Sequence, residues 1–187
     1  MFKKEILENE RRSEIYRFIE ENPGVHLRHI QRELDLPLSS LEYHVNYLVR
    51  KGVIFREKDR SYTRYYVRQL DSEDRKVLSS LRQRKLREIA LKVLLYGKAK
   101  YHDLLTDLRL PSSTLSYYLK FLVKRNILEK HRIGRKSIYT VKDENRIIKA
   151  LMAYRSSFTD KMVDKVLALW METGFRQLGE DKPIKER

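Results

Sequence analysis

Residues 34–54 read LDLPLSSLEYHVNYLVRKGVI, and residues 108–128 read LRLPSSTLSYYLKFLVKRNIL. The similarity between the two stretches continues on both sides, so that residues 24–67 match residues 98–141 without a gap, at an offset of 74 (108 minus 34). Self-similarity at a fixed offset indicates that one structural unit is used twice. We therefore predict two copies of one small module.

Each copy has the pattern of helices followed by a hairpin. In the first copy, apolar residues recur every three or four positions, which predicts helices at residues 11–21, 27–34 and 39–51. Pro37 separates the last two helices, and Ser39 or Ser40 is the expected cap of the third. Alternating residues around a polar turn at 58–61 predict strands at residues 53–57 and 62–67. The second copy repeats this order, with helices at residues 101–108 and 113–125 and strands at residues 127–132 and 136–141.

The residues between and after the two copies also have a helical pattern. Residues 71–95 predict a helical connection whose second half serves as the first helix of the second module. Residues 143–173 predict an amphipathic helix that is broken at Ser156 and Ser157. The expected domains are a first module (1–70), the connection with the second module (71–142), C-terminal helices (143–175) and a disordered tail (176–187). The predicted fold class is mainly α with small β-hairpin wings, as two tandem winged helix-turn-helix modules plus a C-terminal helical segment.

The two quoted stretches, each followed by a basic hairpin, resemble archaeal winged helix-turn-helix transcriptional regulators of the ArsR and MarR type. The resemblance covers roughly residues 10–141 and implies a DNA-binding repressor or activator. Glu42 departs from the small polar residues that are common at this point of such helices. The metal-binding cysteine motif of the ArsR type is missing, which argues against release of DNA by a metal.

The composition favours an anionic partner. Lys and Arg total 41 against 26 Asp and Glu, a formal charge of +15, as expected for a protein that binds nucleic acid. A membrane surface would satisfy the same charge, but the chain has no apolar run of about 18 residues and no signal peptide, so we expect a cytoplasmic protein. With no cysteine, and with His26 and His29 lacking suitable companions, we expect neither a metal nor a cofactor.

The outward faces of the two third helices are the predicted reading surfaces. At about 100° per residue, the face opposite the apolar stripe carries short polar or planar side chains, which suit a major groove about 12 Å wide. The predicted DNA-binding residues of these faces are Ser39, Ser40, Tyr43, Asn46, Tyr47, Arg50, Ser113, Thr114, Tyr117, Lys120 and Lys124. We predict that Asn46 and Lys120 read base edges. The serines and the threonine are expected to bind phosphate, and the two outward tyrosines to contact phosphate or a thymine methyl group.

Basic side chains also cluster on the two predicted hairpins. They are Arg56, Lys58, Arg60 and Arg64 in the first wing and Lys130, Arg132, Arg135 and Lys136 in the second. Such residues can bind flanking phosphates or enter the minor groove. If about six phosphates are neutralised, the logarithm of the affinity should fall with the logarithm of the salt concentration with a slope near −5.

The C-terminal apolar residues allow two interpretations. They either pack against their own module or form a homodimer interface, and we favour the homodimer because two-fold symmetry doubles the contacts with DNA. The predicted dimerisation residues are Leu151, Phe158, Met162, Val166 and Leu169.

Three classes of function compete. The sequence predicts a transcriptional regulator that binds double-stranded DNA sequence-specifically. The alternative is a tandem winged-helix RNA-binding or protein-docking component of the transcription or translation machinery, for which Phe121 and Tyr47 on the third helices are the only apolar indication. An enzyme is not expected, because no nucleophile with a base, carboxylate pair, glycine-rich phosphate loop or metal-ligand spacing is recognisable.

Overall fold

A computed structural model describes residues 2–59, 62–67 and 70–173 of the chain, which divides into two compact units, Met1–Arg82 and Gln83–Arg187. Helices predominate, and the strands form two small antiparallel sheets. The predicted fold class is therefore confirmed. The predicted tail (176–187) and Arg60 lie outside the described residues.

The first unit is built of helices with one three-stranded sheet. Its elements in chain order are α1 (Phe2–Ile6), α2 (Glu10–Glu21), β1 (Val25–His26), α3 (Leu27–Leu34), α4 (Leu38–Arg50), β2 (Phe55–Asp59), β3 (Tyr62–Tyr66) and α5 (Ser72–Leu81). The strand order is β1-β3-β2, with both neighbouring pairs antiparallel. The β2–β3 hairpin is the wing that the sequence predicts, while the short strand β1 is an addition that its two residues were too few to reveal.

The second unit repeats this arrangement. Its elements are α6 (Arg84–Tyr96), β4 (Ala99–Lys100), α7 (Tyr101–Leu108), α8 (Ser112–Lys124), β5 (Leu128–Ile133), β6 (Lys136–Val141), α9 (Glu144–Ala153), a 3-10 turn (Arg155–Ser157) and α10 (Lys161–Thr173). The sheet order is β4-β6-β5. Gly52 and Asn126 both have positive φ angles, 67° and 59°, so a left-handed residue follows the third helix in each copy.

Apolar residues at helical spacing form the core of the first unit. Leu41, Val45 and Leu48 lie on the buried side of α4 and pack with Ile15 and Ile30 from the two preceding helices. Burial of such a stripe gives an amphipathic helix most of its stability, since short isolated helices are marginal in water. The inward positions of α4 are those that the sequence predicts.

The predicted side-chain cap of the third helix of the first copy is wrong. The helix α4 begins at Leu38 with Pro37 as its N-cap, and no side chain caps it, so Ser39 and Ser40 lie inside the first turn. Pro111 has the same place before α8. A proline has its φ angle held near −65°, and here each proline is extended, with φ −56°, so the helix starts directly after it.

The connecting residues form two helices rather than one. The helix α5 ends at Leu81 and belongs to the first unit, where Arg75 pairs with Glu57 at 2.5 Å and Arg82 donates a hydrogen bond to the Pro23 carbonyl at 3.1 Å. The helix α6 is the first helix of the second unit. Asp71 caps the start of α5, because its side chain accepts a hydrogen bond from the Asp74 backbone N–H.

The C-terminal helices complete the core of the second unit. Leu151, Phe158 and Val166 are buried there, which corrects their assignment to a dimer surface and favours the alternative that they pack against their own unit. Met162 and Leu169 are partly exposed. The break in this segment lies at residues 154–160, as the two serines predict. Among the described residues, no helix combines the length and apolarity needed to cross a bilayer.

Candidate nucleic-acid interface

The outward face of α4 is polar and open to solvent. Ser39, Tyr43, Asn46 and Arg50 are all exposed, and Tyr43 retains 59% of its accessible surface. The opposite side of the helix supplies buried core residues, so the two faces are as distinct as the sequence predicts. A single helix with an exposed polar face of this kind is the element that a major groove admits.

Two predicted members of this face are less accessible. The ring of Tyr47 is partly buried against the core, with the Arg12 guanidinium 4.0 Å from its centroid and the Lys51 ammonium 5.7 Å away. Ser40 is half-buried. The position of Tyr47 at the edge of the helix face lets its ring pack against α2, because a large aromatic side chain gains more from burial than from exposure.

The outward face of α8 has the same form. Ser113, Tyr117, Lys120 and Lys124 are exposed, Thr114 is half-buried, and Tyr117 retains 55% of its surface. Tyr43 and Tyr117 occupy the same position in the repeat. Each ring contacts an aromatic neighbour on its own helix, His44 for Tyr43 and Tyr118 for Tyr117, and more than half of each tyrosine stays exposed.

The strand pairing separates the basic residues of the first wing into two faces. Arg56 and Lys58 lie on one face of β2, and Arg56 donates a hydrogen bond to Oδ1 of Asn46 on α4 at 3.2 Å. Both basic side chains are exposed. Since neighbouring residues of a strand point to opposite sides, the adjacent Glu57 lies on the other face, where it pairs with α5.

Arg64 belongs to that other face, which corrects its placement among the exposed basic residues. It stands opposite Glu57 in the ladder and keeps only 2% of its surface. Its Nε donates to the Asp59 carboxylate at 2.8 Å, and another guanidinium nitrogen donates to the Gly24 carbonyl at 2.7 Å. A guanidinium that is buried and bonded in this way joins the parts of the wing and is not presented to a phosphate.

The basic residues of the second wing are all exposed: Lys130, Arg132, Arg135 and Lys136. Lys130 and Arg132 stand opposite Tyr139 and Ser137 in the ladder and therefore share one face of the hairpin. Arg135 follows Gly134, whose φ angle of 58° lets the chain turn between the two strands. Lys136 begins the return strand, on the face opposite to Lys130.

A cleft of about 590 Å³ opens between α8 and this wing. Its lining residues are Tyr101, Ser116, Lys120, Val123, Lys130, Ser137 and Tyr139. The hydroxyl of Tyr101 donates to the Ser112 carbonyl and lies 2.9 Å from Oγ of Ser116, so the start of α7 is tied to the start of α8. Tyr101, Ser116 and Ser137 were not predicted as site residues. Alignment of the two copies sets Tyr101 and Ser116 against Leu27 and Glu42, and this difference was the available signal.

The histidines of the first unit have structural positions. Nδ1 of His26 accepts the His29 backbone N–H at 3.2 Å and caps α3. Burial lowers the pKa of His26, His29 and His44 below the ordinary value, and nearby arginines lower it further. His44 is half-buried, as predicted. Within the part of the chain that the structure describes, no group of three or more His, Asp or Glu side chains could hold a metal ion.

Comparison with known proteins identifies two similarities. Residues 9–78 match a family model of an N-terminal helix-turn-helix (HTH) domain. The chain is also 29% identical over 138 residues to an uncharacterized HTH-type transcriptional regulator of Methanocaldococcus jannaschii. The matched part is 74% of this chain but 35% of that relative, so the chain spans about a third of the relative's length. Because 138 residues exceed either unit, the similarity extends into both.

Proposed function

We propose that the protein is a transcriptional regulator that binds double-stranded DNA sequence-specifically through both modules. The helices α4 and α8 enter the major groove, and the β2–β3 and β5–β6 hairpins contact the flanking backbone. The observation that carries the proposal is the exposure of Tyr43 and Tyr117 at the same position of two polar helix faces, beside basic wings. The similarity to an HTH-type transcriptional regulator supports it.

Asn46 is the proposed base reader of the first module. Its Oδ1 accepts from Arg56, so its amide NH₂ group is left to donate to a purine acceptor in the major groove. A bidentate contact with adenine also needs Oδ1 as an acceptor, so Arg56 would have to release it. On DNA, Arg56 could exchange this bond for a phosphate oxygen. The wing and the reading helix of this module are therefore coupled in the proposed mechanism.

Electrostatic attraction supplies the part of the affinity that does not depend on sequence. The basic members of the proposed interface that the structure shows to be exposed are Arg50, Arg56, Lys58, Lys120, Lys124, Lys130, Arg132, Arg135 and Lys136. About six phosphate contacts among them give the expected salt slope near −5. Ser39, Ser40, Ser113 and Thr114, in the first turns of the two helices, are proposed to bind phosphate together with backbone N–H groups.

We also propose that two copies of the chain associate through the C-terminal helices. Met162 and Leu169 are the predicted dimerisation residues that remain partly exposed, and Met152 and Met171 expose 45% and 68% of their surface on the same two helices. A dimer would present two sets of modules to a DNA site with two-fold symmetry. Light scattering on the wild-type protein and a Met171→Glu variant measures the molecular mass in solution and so tests the association. A wild-type protein with the mass of a monomer would exclude it.

Recovery of bound genomic DNA, followed by titration of the best duplex against a shuffled duplex, a single strand and RNA at one salt concentration, tests the proposed function. The expected result is tighter binding to the recovered duplex than to each of the others. Equal affinity for duplex, single strand and RNA would refute it, and preference for RNA would support the alternative of an RNA-binding component. We further propose that the protein is not an enzyme and that it acts in the cytoplasm.

A further inference from the structure

The walls of the cleft on the second unit combine cations with hydroxyl groups. Lys120 enters it from α8 and Lys130 from β5, while Ser116 and Ser137 add hydroxyls. The hydroxyl of Tyr101 also lines the cleft, but its proton is already donated to the Ser112 carbonyl. Among the described residues, neither lysine ammonium has a hydrogen-bond or ion-pair partner. None of the described residues that line the cleft is a carboxylate, so none of them neutralises the two positive charges.

This set of groups suits a tetrahedral oxyanion. A phosphate group accepts hydrogen bonds at several oxygens at once, and ammonium and hydroxyl groups are donors that proteins use to bind it. Val123 and Tyr139 form the apolar part of the wall. The cleft is open and large enough for a phosphate that is still attached to a larger molecule.

The equivalent place in the first unit has different chemistry. At the offset of the repeat, Glu42 replaces Ser116, and Asn46 and Arg56 replace Lys120 and Lys130. The Arg56 guanidinium is already bonded to Asn46 across this place, at 3.2 Å. Glu42 therefore brings a carboxylate to the position that the Ser116 hydroxyl has in the second unit. The two copies share a backbone fold, but the side chains at these three positions differ in charge and hydrogen bonding.

We propose that the cleft formed by Lys120, Lys130, Tyr101, Ser116 and Ser137 binds a phosphate group, and that the first unit has no counterpart of it. A backbone phosphate of bound DNA is one source, and for that source the inference rests on the proposed function. A free phosphate or a phosphorylated small molecule offers the same chemistry. With DNA as the source, Lys120 contacts the backbone instead of reading a base, and the second module contributes a salt-dependent contact that the first lacks.

The DNA source is tested with full-length Lys120→Ala and Lys130→Ala variants. Lys149→Ala is the matched control, because it removes the same charge from an exposed position of α9 outside the cleft. Affinity is measured as a function of salt concentration for the recovered duplex and its shuffled version. Each cleft variant should weaken both duplexes by the same factor and reduce the size of the salt slope by about 1, with no change for the control.

The free source is tested without DNA. Inorganic phosphate is titrated at constant ionic strength into the wild-type protein and the Lys120→Ala, Lys130→Ala double variant, and the amide resonances of Ser137 and Lys130 or its replacement are followed by NMR. Saturable shifts in the wild type that the double variant lacks would show that the cleft binds phosphate directly.

The outcomes separate the sources and the two proposals. A reduced salt slope assigns the cleft to the DNA backbone, and saturation by phosphate with an unchanged slope assigns it to a free ligand. An unchanged slope without phosphate binding overturns the inference, as does a loss for Lys120→Ala that is confined to one base position. If the wild type shows no preference for duplex, the proposed function fails, whereas the phosphate titration still reports on the cleft.

Discussion

Arg64 and Asp59 form a buried ion pair inside the first wing, with Nε of the guanidinium 2.8 Å from the carboxylate oxygen and 2% and 7% of the side chains exposed. The same guanidinium also donates a hydrogen bond to the Gly24 carbonyl. In the second module, Ile133 and Ile138 stand at the two corresponding positions. One copy of the repeat thus builds its hairpin with a charge pair where the other uses apolar side chains.

Removal of one partner of this pair should destabilise the first unit strongly. Arg64→Met removes the guanidinium that is bonded to the buried Asp59 carboxylate, and removal of one partner of a buried pair is expected to cost about 3–5 kcal/mol in the free energy of unfolding. The double variant Arg64→Met, Asp59→Leu removes both charges and should recover part of that loss. Chemical denaturation of the full chain measures both values. A loss of less than about 1 kcal/mol for the single variant would contradict the importance of the pair.

Asn46→Ala should reduce binding at one position of the recognised DNA sequence. If the Asn46 amide reads a base, the variant loses about 1–3 kcal/mol on the recovered duplex and loses its discrimination at a single base pair. Fluorescence anisotropy on a panel of singly substituted duplexes, at one salt concentration, gives the measurement. An equal loss on every duplex would instead make Asn46 a backbone contact.

Tyr43→Ala and Tyr117→Ala should weaken DNA binding without unfolding the protein. Because both rings are more than half exposed, the expected change in unfolding free energy stays within about 0.5 kcal/mol. The phenylalanine variants separate the contributions of ring and hydroxyl, since Phe keeps the contact with a thymine methyl group but loses a hydrogen bond to phosphate. Tyr96→Ala, at an exposed tyrosine outside the interface, is a control for DNA binding only, because the Tyr96 hydroxyl also donates to Asp107. If the alanine variants bind as tightly as the wild type, the outward tyrosines have no place in the interface.

Stability should fall as the pH drops below about 6.5, the ordinary pKa of histidine. Burial, with Arg64 next, lowers the pKa of His26 in the folded protein, so the unfolded chain binds the proton first. The stabilisation is therefore complete above the unfolded pKa and is lost as the pH falls through the folded pKa. A proton on Nδ1 of His26 also prevents this atom from accepting the His29 backbone N–H, which is the bond that caps α3.

His26→Asn is the matched variant for this effect, because asparagine caps helices well and does not titrate in this range. Denaturation at several pH values between 8 and 5 should show a smaller loss of stability for the variant than for the wild type. Some pH dependence remains in both proteins, since the pKa values of His29 and His44 are also lowered. Identical pH profiles would exclude His26 as a contributor.

Much of the fold follows from local sequence patterns. The apolar spacing of α4, the proline before it and the glycine or asparagine after it mark a helix wherever they occur, and the repetition of these signals after 74 residues doubles the evidence. The strand boundaries differ by a few residues from prediction, because hydrogen bonding between strands, and not residue type, decides where a short ladder ends.

The polar outward faces of α4 and α8 were predictable for the same reason, whereas the placement of basic residues on the hairpins was only partly so. The angular position of Tyr43 or Lys120 on a helix follows from residue number alone. The presence of basic residues on a hairpin does not show which face of the hairpin each side chain lies on. The register supplies that information, because it places Arg64 opposite Glu57, whereas Arg56 and Lys58 lie on the other face.

The sequence by itself therefore determined the duplicated modules, their polar helix faces and the basic character of their hairpins, because these depend on periodicity and composition. Only the tertiary structure decided that Arg64 is buried against Asp59, that Leu151, Phe158 and Val166 pack within their own unit, and that Lys120 and Lys130 share a cleft. Each of these depends on which side chains from distant parts of the chain meet, and burial and charge pairing act between elements that no local pattern brings together.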